Sequence, residues 1–260
     1  MALVEYRAQD GMAIIELNSP PANAYTLDSL KELDQTILKA RFDSSVHAIV
    51  IRGSGEKFFS AGADINMLSR ESNEFRNLFA LYGHETLIRL ENTPKLVIAA
   101  ISGHCVGGGL EIAMACDMRI AKRDAGRMGL AEVNLGVIPG MGGTQRLPRL
   151  VGKARAMDLA TTGRMISFEE ALEFGLINDI FEGDDFFNQV LDYTRQFVAP
   201  NKPSKAVGLI KRAIQTGSEL SQPDGLAFER ELLAQAFGSE DATEGLMAYK
   251  EKRIAKFQGK

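Results

Sequence analysis

Cysteine and histidine are scarce in this chain, which has two cysteines and three histidines among its 260 residues. Cys105 and Cys116 do not have the paired spacing of a zinc site, and the histidines are isolated in the sequence. This scarcity argues against a metal centre. We expect no bound metal, and we expect both cysteines to be free thiols of a reducing compartment.

The chain also lacks an excess of positive charge and any long hydrophobic run. Its formal net charge is −4, and its basic residues are scattered except near the C-terminus, whereas nucleic-acid-binding domains usually carry a basic face. No apolar stretch is long enough to cross a bilayer. A strand pattern begins almost at once, without a visible leader peptide. We therefore expect no nucleic-acid partner, no membrane partner and a cytoplasmic location.

Three common signatures for nucleotide binding and hydrolysis are missing. The glycine-rich segments GSGEKF and GMGGTQ do not complete the GxGxxG pattern of dinucleotide-binding folds. Gly152 and Lys153 do not form a phosphate-binding loop, because Leu147 stands where the upstream glycine belongs and Ala154 replaces the hydroxyl residue. No GxSxG motif supplies a hydrolase nucleophile.

The order of predicted elements is that of an α/β protein followed by helices. Strands and helices alternate to about residue 182, and from Asp184 onward the pattern predicts only helices. The predicted elements are a hairpin over 3–8 and 12–17, a helix over 27–42, strands over 48–52 and 96–101, a small-residue turn over 58–64, a helix from about Glu71 to Leu90, and helices over 184–198, 203–217, 222–237 and 239–256.

The segment from Ile98 to Asp117 is the most informative part of the sequence. A buried strand and a tight turn lead into Gly107, Gly108 and Gly109, which leave backbone N–H groups uncovered where a short helix begins. Glu111 lies in the first turn of that helix. An uncovered amide beside a carboxylate suits a reaction that builds an oxyanion and moves a proton. A glycine-packed helix start explains the same residues, and this segment alone slightly favours that explanation.

Two further segments have similar features. FFSAGAD, residues 58–64, places small residues after a strand, so that the N–H of Ala63 can face a pocket. LAEVNLGVIPGMGGTQRL, residues 130–147, places Glu132 before a glycine-rich loop that leads into a helix near Gly142. Each alone is compatible with an ordinary turn and a solvated carboxylate. Together, two amide donors and two carboxylates would form an oxyanion hole with an acid/base pair.

The sequence resembles a known family along its whole length. The blocks FFSAGADI, KLVIAAISGHCVGGGLEIAMACDMRIA, AEVNLGVIPGMGGTQRLPRLVG and TGRMISFEEALEFGLI resemble the enoyl-CoA hydratase/isomerase (crotonase) superfamily, and SPPANAYT also looks familial. The resemblance implies an α/β fold, with a crotonase-like spiral of ββα units over residues 1–198. It implies an all-helical trimerisation region over residues 199–260, in a homotrimer or a dimer of trimers.

The resemblance also implies an acyl-coenzyme A thioester as substrate. No separate cofactor is expected, because coenzyme A arrives as part of the substrate. The thioester carbonyl would lie between the N–H groups of Ala63 and Gly108, and the helix after Glu71 would line the acyl pocket. Further residues implied to bind coenzyme A or substrate are Ala61, Asp64, Ile65, Asn66, Met141, Tyr249 and Lys252.

Four of these binding positions either differ from the family pattern or have a second explanation. Asn66 stands where a lysine is common in the family, which would weaken a phosphate contact. Met141 stands where a small residue is common, which would alter the choice of acyl chain. Tyr249 and Lys252 are expected in a helix whose family counterpart reaches coenzyme A across a subunit interface, although a solvated helix face accounts for them equally well.

The hydratases of this superfamily carry two glutamates, and Glu111 and Glu132 match both. The resemblance therefore implies syn addition of water across the C2=C3 bond of a 2-enoyl-CoA, a hydro-lyase reaction. We expect Glu111, ionised by the helix dipole, to activate the water, and Glu132, with a raised pKa, to deliver the proton to C2. The alternatives are a Δ3,Δ2-enoyl-CoA isomerase, a hydratase of branched or aromatic acyl-CoA, and a non-catalytic or RNA-binding relative.

Overall fold

The first two strands form the hairpin that the sequence predicts. The computed structural model of the protein describes residues 2–260. Strand β1 (Val4–Gln9) pairs antiparallel with β2 (Met12–Leu17), so that Val4 lies opposite Leu17. Asp10 and Gly11 make the turn with φ values of 50° and 76°, a backbone conformation that short polar residues and glycine tolerate best.

The hairpin begins a sheet of six strands, and a second sheet of four strands lies beside it within residues 2–260. The first sheet has the order β1-β2-β3-β5-β7-β10 and is parallel beyond the hairpin; the second has the order β4-β6-β8-β9. The remaining strands are β3 (Ala48–Gly53), β4 (Phe58–Ser60), β5 (Leu96–Ile101), β6 (His104–Val106), β7 (Met118–Lys122), β8 (Arg127–Gly129), β9 (Ile166–Ser167) and β10 (Asp179–Phe181).

Successive units of the chain place one strand in each sheet, which gives the spiral of ββα units that the resemblance implied. The large sheet is buried on both faces because alternate side chains of its strands enter different clusters. Ile49 and Ile51 of β3 point into the larger core, and Ala48 and Val50 point into the core on the opposite face.

Within residues 2–260 the structure contains eleven α-helices. They are α1 (Leu27–Phe42), α2 (Ile65–Arg70), α3 (Asn73–Glu91), α4 (Gly108–Met114), α5 (Gly143–Val151), α6 (Lys153–Thr162), α7 (Phe168–Glu173), α8 (Phe186–Arg195), α9 (Ser204–Gly217), α10 (Gln222–Phe237) and α11 (Glu240–Glu251). After β10 the described chain forms helices only, as predicted. No helix in residues 2–260 combines the length and apolarity that crossing a membrane would require.

Three predicted helices have clearly different bounds in the structure. The helix expected over 184–198 is α8, Phe186–Arg195. The last helix was expected to continue to residue 256, but it ends at Glu251 because Lys252 adopts a left-handed conformation with φ 55°. The helix expected from Glu71 begins at Asn73, where the Ser72 hydroxyl accepts a hydrogen bond from the Phe75 N–H.

A separate short helix, α2, precedes α3 and was not predicted. The carboxylate of Asp64 caps it by accepting a hydrogen bond from the Met67 N–H at 3.0 Å. None of its residues is buried, so its sequence carries no amphipathic pattern that could have revealed it.

A buried ion pair joins the C-terminal helices to the large sheet. Lys211 of α9 lies 2.9 Å from Asp117, and its ammonium group also donates to the carbonyl of Lys95. The carboxylate of Asp117 in turn accepts from the N–H of Val97 in β5.

Both cysteines, Cys105 and Cys116, are buried free thiols, as expected.

Candidate active site

The two predicted amide donors lie on neighbouring turns, one after β4 and one where α4 begins. The N–H of Tyr25 donates to the carbonyl of Gly62, and the N–H of Asp64 donates to the carbonyl of Tyr25, each at 2.9 Å. These two bonds bracket Ala63. Within residues 2–260, neither the Ala63 N–H nor the Gly108 N–H donates a hydrogen bond to another group of the chain.

Glycines allow these two turns to approach each other. A Cβ built on Gly62 would lie 2.9 Å from the nitrogen of Gly108, and Gly62 also has a φ of 86°. Gly107 has a φ of 54° and turns the chain from β6 into α4. Side chains at these positions would be strained and would fill the space between the two amides.

The carboxylate of Glu111 is held by the loop before α5. Glu111 is 1% exposed, and its Oε1 accepts hydrogen bonds from the N–H groups of Met141 at 2.7 Å and Gly143 at 2.6 Å. Arg146 holds this loop, because its guanidinium donates to the Met141 carbonyl and forms a bidentate pair with Glu91. The loop therefore presents two fixed donors to one carboxylate oxygen.

Burial raises the pKa of Glu111, although the amides of Gly143 and Met141 and the charge of Arg146 act in the opposite direction. The expectation that the helix dipole favours the ionised form is therefore opposed by desolvation. The two amides, rather than a helix of one or two turns, are the groups that favour the carboxylate.

Glu132 lies in a less satisfied environment. It is the first residue of a short 3₁₀ helix, Glu132–Leu135, and its Oε2 is buried without a hydrogen-bond partner in the described chain. Its Oε1 lies beside Gly107, where a built Cβ would approach it to 2.9 Å. Burial, and secondarily the charge of Glu111, raises the pKa of Glu132 to about 7. Such a group can hold or release a proton near neutral pH.

We expect Glu132→Gln to stabilise the fold at alkaline pH. Between about pH 4.5, the ordinary value, and about pH 7 the folded chain holds a proton that the unfolded chain releases, so stability falls as pH rises through this window. A glutamine side chain does not titrate, so the variant does not lose this stability as pH rises. The stability gain over wild type should grow from pH 5 to pH 8 by on the order of 1–2 kcal/mol, allowing for solvent screening at the cavity.

The measurement is urea unfolding at both pH values, with Glu85→Gln on the exposed side of α3 as the matched control. The control should follow wild type at both pH values. If the free energies of unfolding of Glu132→Gln and Glu85→Gln changed equally between the two pH values, the raised pKa of Glu132 would be contradicted.

The predicted amides and carboxylates surround one cavity of about 410 Å³, a volume typical of small-molecule pockets. Ala61, Ala63, Ile65, Gly108, Glu111, Glu132 and Met141 all line it. Most of the remaining wall is apolar, and α3 contributes to it, as the sequence led us to expect. The cavity thus combines an apolar volume with a small group of convergent polar atoms.

Four predicted binding residues lie outside this cavity wall. Asp64 caps α2, and Asn66 is exposed in the first turn of that helix, next to the cavity mouth at Ile65. Tyr249 is 87% exposed on α11, and Lys252 is not in that helix as predicted but ends it. Within one chain the structure does not bring Tyr249 and Lys252 to the cavity.

Sequence reasoning gave no role to several residues that line the cavity. Tyr25 and Phe79 contribute aromatic rings, and Leu68 and Ile138 contribute aliphatic surface. Tyr25 belongs to the segment SPPANAYT, which resembled the family without indicating a function. Phe79 is one apolar residue among many in α3, so nothing in its spacing distinguished it.

Comparison with known proteins identifies the family of the chain. The sequence model of the enoyl-CoA hydratase/isomerase family matches residues 7–260. The chain belongs to this family. Membership of the enoyl-CoA hydratase/isomerase family is consistent with the two-sheet spiral.

Individual relatives and structures are similar over nearly the whole chain. A short-chain-enoyl-CoA hydratase of Clostridium acetobutylicum is 42% identical over 243 residues, which cover 93% of this chain and 92% of that protein. A crotonyl-CoA hydratase of Syntrophomonas wolfei is 36% identical, covering 97% and 96% of the two chains. The crystal structure of an enoyl-CoA hydratase from Geobacillus kaustophilus is 41% identical, with a TM-score of 0.97 and coverage of 100% and 98%.

Proposed function

We propose that this chain is an enoyl-CoA hydratase that adds water syn across the C2=C3 bond of a 2-enoyl-CoA to give a 3-hydroxyacyl-CoA. The observation that carries the proposal is the convergence of two amides without intrachain partners, at Ala63 and Gly108, and two buried carboxylates, Glu111 and Glu132, on one apolar cavity. This set supplies the groups that the reaction needs.

The two amides would stabilise the charge that develops during the addition. Conjugation with the thioester makes C3 electrophilic, so attack by water at C3 moves an electron pair towards the thioester oxygen. The N–H groups of Ala63 and Gly108 would hold that oxygen as it becomes an enolate. Fixed amides in a water-excluded site stabilise such charge strongly, because they need no reorganisation during the reaction.

The two carboxylates would divide the proton transfers. Glu111 would accept the proton that water loses as the C3–O bond forms, since its Oε1 receives two amide donors that favour the ionised form. Glu132 would deliver its proton to C2 as the enolate collapses, since its pKa of about 7 leaves it partly protonated near neutral pH. Exchange with solvent then restores both groups.

The cavity would hold the acyl group and the thioester. Met141 and Phe79 occupy its wall with bulky side chains. Coenzyme A would leave the cavity along Ala61 and Ile65, which line it, and would continue past Asp64 and Asn66, largely on backbone groups. Asn66 would offer no cationic contact to a phosphate. No separate cofactor is proposed.

We also propose the two-part organisation implied by the resemblance. Residues 1–198 would form the spiral core, and residues 199–260 would form the oligomerisation region of a homotrimer or a dimer of trimers. Large apolar side chains exposed on the last three helices support this assignment; they include Ile210, Ile214, Phe237, Leu246 and Met247. Contact of Tyr249 and Lys252 with a neighbour's coenzyme A, and the cytoplasmic location, remain predictions.

The direct test is hydration of crotonyl-CoA, followed by the loss of the absorbance of the conjugated thioester. We expect fast, protein-dependent loss of the signal and formation of 3-hydroxybutyryl-CoA. A 3-enoyl-CoA of the same length should isomerise much more slowly than crotonyl-CoA is hydrated. Isomerisation that far exceeds hydration would overturn the assignment and identify an isomerase.

A further inference from the structure

Tyr25 places a hydroxyl group at the oxyanion side of the cavity. The side chain is 7% exposed and lines the cavity. A Cβ built on Gly108 would overlap the Tyr25 hydroxyl, so this oxygen lies directly against the residue that carries one of the two free amides. Within residues 2–260 the hydroxyl has no hydrogen-bond partner, although it is one of few polar atoms in an apolar wall.

The tyrosine is held in place from its backbone and from its ring. Its N–H and C=O bond to Gly62 and Asp64 on either side of Ala63. Its ring stacks on Phe79 with a centroid distance of 6.0 Å and an interplanar angle of 29°. Because Tyr25 links the Ala63 turn to the Gly108 turn, its position is coupled to that of both amides.

Burial and the neighbouring charges determine whether the Tyr25 hydroxyl is protonated. Burial, and then the charges of Glu111 and Glu132, raise the pKa of Tyr25 well above its ordinary value. The hydroxyl therefore stays protonated and can donate one hydrogen bond. Neither glutamate receives that hydrogen bond in this structure, so the donor is available to a bound molecule.

The chemistry of the proposed substrate identifies the acceptor. The acyl chain of a simple 2-enoyl-CoA has no polar atom except the thioester oxygen, and this is also the atom on which negative charge develops. We propose that the Tyr25 hydroxyl is a third hydrogen-bond donor to the thioester oxygen, beside the amides of Ala63 and Gly108. This inference rests on the proposed function and adds a catalytic residue to it.

Tyr25→Phe tests the proposal because it removes the hydroxyl and keeps the ring that stacks on Phe79. We expect kcat for crotonyl-CoA hydration to fall about 10- to 100-fold, because one of three donors is lost, while KM changes little. Tyr82→Phe is the matched control. It removes a hydroxyl that bonds to Asp34 between α1 and α3, away from the cavity, and should leave kcat unchanged.

A spectroscopic measurement separates hydrogen bonding from a merely structural role. A cinnamoyl-CoA with an electron-donating para-dimethylamino group absorbs at longer wavelength when its thioester carbonyl is polarised. Bound to wild type or to Tyr82→Phe it should show the full red shift, and bound to Tyr25→Phe a smaller one. Equal red shifts and equal kcat values in all three proteins would overturn the role of Tyr25.

This outcome is distinct from failure of the proposed function. If wild type hydrates crotonyl-CoA and Tyr25→Phe matches it, only the third donor is wrong. If wild type hydrates no 2-enoyl-CoA, whether short, branched or aromatic, the hydratase proposal fails, and the red shift of the bound cinnamoyl thioester still decides whether Tyr25 polarises the carbonyl. A gain of activity on longer acyl chains in Tyr25→Phe, with no loss on crotonyl-CoA, would also overturn the inference.

Discussion

Glu132→Gln should lower kcat for crotonyl-CoA hydration by about 10²- to 10⁴-fold, the usual contribution of a positioned acid or base. Glutamine keeps the volume of the side chain but has no proton of suitable acidity for C2. The amides of Ala63 and Gly108 remain in place, so substrate binding should change much less than kcat. The measurement is steady-state hydration, followed by the absorbance of the conjugated thioester.

Glu111→Gln should produce a loss of the same order. Its amide oxygen can still accept from the N–H groups of Met141 and Gly143, so the loop should keep its conformation while the base is lost. The double variant should be little worse than either single variant, because the two carboxylates act on one water molecule and one enolate.

The control for both glutamates is Glu85→Gln, which should keep wild-type kcat. Survival of hydration in Glu111→Gln, together with activity on 3-enoyl-CoA, would indicate an isomerase-type mechanism with a single glutamate. Survival in both variants would remove the carboxylate pair from the mechanism altogether.

Gly62→Ala should lower kcat by about 10²- to 10³-fold, equivalent to the loss of one oxyanion donor. The new methyl group would lie 2.9 Å from the nitrogen of Gly108. It would push the two turns apart and obstruct the place where the thioester oxygen binds. The assay is again hydration of crotonyl-CoA, with kcat and KM determined separately.

Gly55→Ala is the matched control for backbone strain. Gly55 has a φ of 70°, close to the 86° of Gly62, but a Cβ built on it meets nothing within 4 Å. Both substitutions carry the stability cost of the left-handed conformation; Gly62→Ala adds the clash with Gly108, and only Gly62→Ala should lose activity. Similar kcat values for the two variants would show that the Gly62–Gly108 contact does not matter for catalysis.

Much of the fold was predictable from local patterns. The hairpin at Asp10, the buried strand β5 and the glycine turn into α4 each carry their own signal in the sequence, and the family resemblance that implied the spiral is confirmed. The resemblance implied a second strand in each unit, but local patterns did not locate the strands of the second sheet. Its strands have two or three residues, too few for an alternating pattern to show.

The environment of the site was less predictable than its members. Nothing near Glu111 in the sequence indicates that its carboxylate accepts from the amides of Met141 and Gly143, which come from a distant loop. The raised pKa of Glu132 likewise depends on burial by other elements and on Glu111. Tyr25 could not be selected from the sequence, because the role proposed for it depends on its position against Gly108 in the fold.

The bridge between Tyr25 and Ala63 has a consequence for how the protein acquires activity. The groups around the cavity come from the segment before α1, the turn after β4, the start of α4 and the segment after β8, so the site consists of contacts between distant parts of the chain. We expect such contacts to close late in folding, because loop entropy must be overcome first. Recovery of catalysis after dilution from denaturant would therefore report completion of the whole spiral, whereas recovery of helical signal would not.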